Sequence, residues 1–220
     1  MKVLTYNIHK GFNWSNQQLT IRKLKNQLKK LHPDIVFLQE VVGENLKLKE
    51  TNPDWVENQF EFLADELWDE FAYAKNAVYD FRHHGNVILS KFPILFQEQI
   101  DISTNKLEKR GVLFCRIQHP QHVIDCYCIH LNLRHTDRKK QYKQLTQIIE
   151  ERSEESKAII VAGDFNDWNK KASEFLTDHT GLSEVHKSLH GDYAKTFPSP
   201  RPLLSLDRIY MKNLKLKSCE

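Results

Sequence analysis

The stretch AIIVAGDFNDW, residues 158 to 168, constrains the fold more than any other part of the chain. Its first half is an unbroken apolar run, the pattern of a central strand covered on both faces. Its second half turns into Asp164, Asn166 and Asp167, with Trp168 behind them. Burying such groups without partners costs on the order of a few kcal/mol each, so something must be bound or activated where this strand stops. The run DIVFLQE, closing on Glu40, repeats the pattern.

The rest of the chain supplies the other layers. After the opening strand KVLTYNI, residues Leu19, Ile21, Leu24, Leu28 and Leu31 recur at helical spacing. Ser15 or Asn16 is a candidate cap for this helix, and Pro33 is its stop. The first two strands are therefore joined through a helix. Asn52 and Pro53 read as the cap and first-turn proline of a second helix, with Val56, Phe60, Leu63, Leu67 and Phe71 facing a core. From Tyr73 the period changes. AYAKNAVY, GNVILS, GVLFCRIQ and HVIDCYCIHL read as four strands, with turn signals at RHHG, KFP and HPQ. A basic helix over roughly residues 137 to 152 leads to AIIVAGDF, a short helix covers KASEFLTDH, and LDRIYM makes a last strand. Helical crossovers mixed with hairpins imply an α/β fold: two mixed sheets face to face, helices outside, one domain over residues 1–220.

Composition narrows the partners. The 32 basic and 29 acidic residues leave a net charge of +3, too weak by itself to argue for nucleic acid, whose binders show a clustered basic face. The start MKVLTYNIHKGF meets polar residues too early for the apolar core of a signal peptide. No run approaches the ~18 apolar residues of a spanning helix. Cys126 and Cys128, two apart in one expected strand, are a poor disulfide pair, so they and Cys115 and Cys219 are expected as thiols in a reducing cytoplasm. The expectation is a cytoplasmic monomer.

Chemically capable residues close otherwise apolar strands: Asn7 after VLTY, Glu40 after IVFLQ, His130 after CYCI, Asp164 and Asn166 after IIVAG, and Asp207 within LLSLDRIY. The crevice beyond strand ends is where ligands sit in open α/β sheets. Carboxylate and amide oxygens without a thiolate suit Mg²⁺ or Mn²⁺, and a histidine with a second carboxylate can position water and balance charge. This is the equipment of metal-assisted phosphoester hydrolysis. A zinc site built from His83, His84, His130 and His135 is disfavoured by their spacing, and His83 and His84 are read as loop residues near the mouth. Arg110, Arg134, Arg138, Lys139 and Lys140 form either a solvated face or a phosphate clamp.

Taken in order, YNIHKG, DIVFLQEV, HGNVILSKFPI, IHLNLR, VAGDFNDW and LDRIY resemble the endonuclease/exonuclease/phosphatase superfamily of DNase I, abasic-site endonucleases, inositol-polyphosphate phosphatases and neutral sphingomyelinases. The resemblance runs from residue 3 to about residue 212. It implies a DNase I-like four-layer α/β sandwich with the site at one end and a divalent cofactor, Mg²⁺ or Mn²⁺. By resemblance, Glu40 is the principal metal ligand and Asn7 the amide beside it. His130 contacts the scissile phosphate, Asp164 orients or deprotonates the attacking water, Asn166 holds a phosphate oxygen, and Asp207 is a supporting acid. Asn86 in HGN, with Arg110 and Arg134, is assigned to substrate binding. Members of the superfamily continue to a Ser-Asp-His segment that occurs nowhere in this sequence, so the chain is expected either to be a truncated product or to lack that strand. Motifs such as KRGVLFC, GDFNDW and TFP at Thr196 to Pro198 resemble the compact bacterial branch. The expected function is hydrolysis of a phosphodiester, with nucleic acid, phospholipid and small phosphodiesters all open. The runner-up is a phosphate-binding or regulatory module that keeps the scaffold without turnover.

Overall fold

Alternation along the strands sorts the apolar side chains into three layers, and those layers dictate the architecture. The computed structural model describes residues 1–154, 157–170 and 172–220. The elements run β1 Val3–Asn7, a 3-10 turn His9–Gly11, α1 Ile21–Leu31, β2 Ile35–Asn45, α2 Leu46–Thr51, α3 Gln59–Ala64, β3 Glu70–Tyr79, β4 Arg82–Ser90 and β5 Ile94–Asp101. They continue as β6 Gly111–His119, β7 His122–His130, α4 His135–Arg152, β8 Ala158–Asp164, α5 Ala172–Thr180, β9 Ser183–Glu184, α6 Val185–His190 and β10 Asp207–Lys212.

One sheet has the order β1-β2-β4-β3 and the other β5-β6-β7-β8-β10-β9. Both are mixed, because β1 runs parallel to β2 and β7 parallel to β8, each pair through a helical crossover, while β4 and β10 run antiparallel to their neighbours. In β2, Ile35 and Phe37 point between the sheets, and Val36 and Leu38 point outward to α1 and α3. The apolar run is continuous because both faces are covered. β8 behaves alike: Ala158, Ile160 and Ala162 face the inter-sheet layer, and Ile159 and Val161 face Tyr142, Leu145 and Leu176 of the helices beyond. Cys126 and Cys128 share the inner face of β7, and Cys115 joins them from β6 as free, buried thiols. Small side chains thus line the seam between two sheets. Leu28 shows the strength of the outer layer: 1% exposed under α1, it would cost about 2–5 kcal/mol to truncate to alanine. Among the described residues no helix is long and apolar enough to cross a membrane.

Several local expectations are corrected. α1 starts at Ile21 with Thr20 before it, while Ser15 and Asn16 belong to a turn organised by Asn13 Oδ1, which accepts from Gln17 N and Gln18 N. The helix expected after Asn52 and Pro53 does not form there. Asn52 follows α2, whose cap is Asn45 Oδ1, and its own side chain accepts from Asp54 N. A residue before proline is pushed out of the helical region, and only Gln59–Ala64 then turns helical, leaving Leu67 in the connection and Phe71 in β3. RHHG is not a turn: Arg82, His83 and His84 are paired in β4 on both sides. The strand β5 had no counterpart in the sequence reading. Of the expected helix KASEFLTDH, Ala172 onward lies in α5 and Lys171 lies outside the described residues.

Candidate active site

Strand register brings the candidate residues together. In the larger sheet, Asp164 is paired with His130 of β7 on one side and Asp207 of β10 on the other, so one row across three strands reads His, Asp, Asp. Because β10 is antiparallel to β8, Asp207 opens its strand; the expectation that it closes one is corrected. His130 Nε2 stands 3.7 Å from Asp164 Oδ2. In the smaller sheet, Asn7 at the end of β1 is level with Gln39, and Glu40 comes next. Glu40 does not end β2. It sits at a bulge between Leu38 and Val41, where its φ of 56° turns the backbone before the strand resumes against β4. A positive φ at a glutamate is strained, and a bulge re-aims a side chain.

Asn7 joins the two sheets. Its Nδ2 donates to Asp164 Oδ2 at 3.0 Å and lies 3.5 Å from Glu40 Oε1, while its Oδ1 accepts from His9 N at 3.0 Å. Asp164 Oδ1 accepts from Asn166 N at 2.9 Å, and Asn166 Nδ2 donates to the Leu131 carbonyl at 2.9 Å. Glycine is required at position 163, just before this turn, since a Cβ there would stand 2.0 Å from Ile129 O.

The charges at the site are uneven. Lys10 Nζ lies 3.2 Å and His9 Nδ1 3.8 Å from Glu40 Oε2. Burial pushes the Glu40 carboxyl up, but His130, Lys10 and His9 outweigh it and hold it at about 2. Burial, then Arg110, lowers the His130 pKa against the opposing pull of Asp164 and Glu40. Burial and the neighbouring Asp164 raise that of Asp207, whose Oδ1 is shut from solvent without a hydrogen-bond partner. Opposed shifts in groups on either side of Asp164 are the pattern of acid–base work.

A cavity of about 10 Å³ is lined by Glu40, Asn76, His84, Asn86, Arg110 and His130, space for about one water. Asn86 reaches it from β4 while its Nδ2 donates to Gly111 O at 2.9 Å and Cys128 O at 3.1 Å, tying the two sheets together. Arg134 is exposed immediately before α4, four residues after His130, and lines neither this cavity nor the larger one beside it. His83 and His84 belong to β4, not to a loop; burial and Lys10 push His84 down to about 4.

Two assignments change more. Arg138 belongs to neither a solvated face nor a clamp: it is 0% exposed, donates to the carbonyls of Asn132 and Leu133, and lies 3.9 Å from Asp167 Oδ1. Asp167 also accepts from Arg208 Nη1 at 3.1 Å, while Trp168, 47% exposed, lies over the Arg138 guanidinium. Asp167 therefore anchors the loop that presents Asp164 and Asn166. Lys10, Arg82 and Asn76 were not singled out from sequence, although Lys10 stands in the quoted motif YNIHKG.

Among the described residues, no group of three or more His, Cys, Asp and Glu side chains is placed to hold a metal ion. The carboxylate oxygens of Glu40 and Asp164 meet at the Asn7 amide, which turns Nδ2 toward both while Oδ1 accepts from His9 N, and Asp207 lies beside Asp164 on the next strand. Carboxylates of this kind suit a hard cation that keeps its own waters and borrows substrate oxygen.

Comparison with known proteins places this geometry. A model of the endonuclease/exonuclease/phosphatase family matches residues 4–219. The uncharacterized protein YbhP of Escherichia coli (strain K12) is 45% identical over 219 residues, which cover 96% of this chain and 85% of that protein. Among solved structures, an endonuclease/exonuclease/phosphatase family protein from Leptotrichia buccalis C-1013-b has a TM-score of 0.74 at 21% identity, covering 99% of this chain and 89% of that one. The mannosyl-6-phosphatase of Bacteroides thetaiotaomicron has a TM-score of 0.70 at 14% identity, covering 96% of this chain and 85% of that one. At such identities the solved structures speak for the DNase I-like fold. The family match spans nearly the whole sequence, and by it the chain belongs to the endonuclease/exonuclease/phosphatase family.

Proposed function

We propose that this protein is a divalent-metal-dependent phosphodiesterase that drives a water molecule onto phosphorus. The observation that carries the reading is the Asn7 bridge to Asp164 at 3.0 Å, which draws Glu40 from one sheet and the row His130, Asp164, Asp207 from the other into a single cluster. Family membership supports phosphoester hydrolysis in general, and the nature of the donors supports the metal. Glu40, met by cationic Lys10, would hold Mg²⁺ or Mn²⁺, and Asn7 would join it through Oδ1 with its amide turned from the orientation that now donates Nδ2 to Asp164. Asp207 Oδ1, shut from solvent without a hydrogen-bond partner, fits an oxygen-seeking ion nearby. The bound ion would supply Lewis-acid charge for the phosphoryl oxygen.

The chain's own groups do the rest. Asp164, held by Asn7 and by Asn166 N, orients the water and takes its proton as the oxygen approaches phosphorus, while the opposite P–O bond to the leaving group breaks and the departing alkoxide takes a proton from solvent. His130, neutral when its pKa is lowered, offers an N–H to a phosphate oxygen as negative charge develops there. Asn166 uses one amide hydrogen on Leu131 O, and its second is available to another phosphate oxygen. Asn86 and Arg110 border the space where the ester would lie; Arg134, exposed at the start of α4, is kept as a substrate contact from solvent. The free thiols support a reducing, cytoplasmic setting, in which the protein acts as a monomer.

The test is hydrolysis of bis-p-nitrophenyl phosphate with Mg²⁺ or Mn²⁺, by the full chain and by Asp164→Asn. Loss of a general base lowers the rate by about 10²–10⁴-fold. Equal rates in the two proteins would remove this mechanism, and no metal-dependent rate in either would leave the phosphate-binding module as the better account.

A further inference from the structure

Next to the water-sized space lies a second cavity, of about 240 Å³, which shares Glu40, His84 and Arg110 with it. Its other walls come from Lys10 of the 3-10 turn, from β2, and from Tyr79, Arg82 and His83 at the β3–β4 hairpin. The volume falls below the roughly 300–1,000 Å³ of pockets for drug-sized ligands, so a headgroup fits it better than an extended molecule.

The charges on its walls do not balance. Lys10, Arg82 and Arg110 face a single carboxylate, Glu40, and Lys10 is already 3.2 Å from it. Among the described residues neither Arg82 nor Arg110 forms an ion pair, and Arg110 Nε is buried with no hydrogen-bond partner. Arg82 lies with its guanidinium 4.9 Å over the Tyr79 ring, which orients the fork without neutralising it. A buried guanidinium nitrogen without an acceptor is costly, and two arginines on one concavity make a bidentate site for an oxyanion. These cations border one hollow, which favours a compact ligand over a polynucleotide strand.

We infer that the ester taken at the candidate active site carries a second anionic group, a phosphate, and that this cavity receives it between Arg82 and Arg110. The inference rests on the phosphoesterase reading for what occupies the neighbouring space, and it names the substrate class: a phosphodiester with a nearby phosphate, either free in solution or as a lipid headgroup.

Calorimetric titration of the full chain with propanediol bisphosphate and with propyl phosphate reads the second group directly. The bisphosphate is expected to bind at least tenfold more tightly. Arg82→Gln, at an exposed side chain whose loss does not threaten folding, brings the ratio to within twofold of one, and Arg82→Lys restores part of it. Vesicles of phosphatidylcholine with and without phosphatidylinositol phosphate, whose head holds a diester and a monoester, form the lipid arm by co-sedimentation. A preference for the second phosphate that is lost in Arg82→Gln supports the inference in either arm and identifies the source. Its absence from both arms, or its survival in Arg82→Gln, overturns it. Tighter binding of a short single-stranded oligonucleotide than of the bisphosphate, weakened by the same substitution, overturns it in favour of a strand. Because binding is read without turnover, failure to hydrolyse the chromogenic diester would sink the catalytic reading and leave this result standing.

Discussion

Asp167→Ala is the most demanding test of how the Asp164 loop is held. The carboxylate is 0% exposed between two arginines that are 0% and 2% exposed, with Arg208 Nη1 at 3.1 Å from Oδ2 and Arg138 Nη2 at 3.9 Å from Oδ1. At an effective dielectric of about 20, those separations correspond to gross attractions on the order of 5 and 4 kcal/mol. Desolvation offsets most of this in the intact protein, so the net worth of the cluster is small. Removing this anion changes the sum, because two buried guanidiniums lose the carboxylate they share, with Glu184 still acting on Arg208. Breaking a buried pair from one side costs about 3–5 kcal/mol, and that is the expected loss in urea unfolding followed by tryptophan fluorescence. Aromatic partners soften it, since Arg138 lies 4.7 Å from the Trp168 ring and Arg208 4.3 Å from the Tyr193 ring. Arg138→Met on the Asp167→Ala background removes one of the two charges and is expected to return part of the stability. A loss below about 1 kcal/mol would mean that water solvates the cluster and that the reasoning from buried charge fails.

Other changes probe separate parts of the structure. Gly163→Ala puts a Cβ into Ile129 O at a φ of 150°, inside the parallel β7–β8 pair, and is expected to cost about 3 kcal/mol or more by thermal unfolding. Asn86→Ala removes the amide that donates to both Gly111 O and Cys128 O across the two sheets; about 2 kcal/mol of destabilisation is expected, as for buried carbonyls left unmatched. The Asp34 carboxyl gives a pH-dependent case. Burial raises its pKa, but the Lys2 N–H and the Lys91 ammonium outweigh burial and hold it below its usual value. Its contribution is then fully present above the unfolded pKa of about 3.9 and is lost as pH falls through the lower folded value. Asp34→Asn is therefore expected to be less stable than the parent at neutral pH, with the difference fading in acid; a constant difference would refute the linkage.

Parts of the molecule were legible because their physics is local. β2, β7 and β8 are apolar on both faces, and that forces them into sheet centres whatever surrounds them. β5 is an edge strand whose Leu95 and Phe96 are half exposed, and its polar alternation carries no comparable signal. RHHG has the composition of a turn, yet the reversal occurs earlier, at Asp80 and Phe81, and Gly85 is needed because a Cβ would stand 1.7 Å from Ala74 O of β3. Asp207, read from sequence as closing its strand, opens it instead, since strand direction depends on the partner and not on the local pattern. Arg138 could have been read better. It stands on the stripe continued by Gln141, Tyr142, Leu145, Ile148 and Ile149, all buried, and its place in a basic run masked that periodicity. The clustering of Asn7, Glu40, His130, Asp164 and Asp207 lay beyond any local pattern, because it comes from register across two sheets.

The account's central claim is that these five residues form one cation-binding, phosphate-facing centre. Titration of the full chain with Mn²⁺, followed by the loss of free-ion electron paramagnetic resonance signal, tests it most directly when repeated on Glu40→Gln, which keeps the side chain's shape and removes its charge. The account predicts saturable Mn²⁺ binding that weakens at least tenfold in Glu40→Gln; the same affinity in both proteins would contradict it.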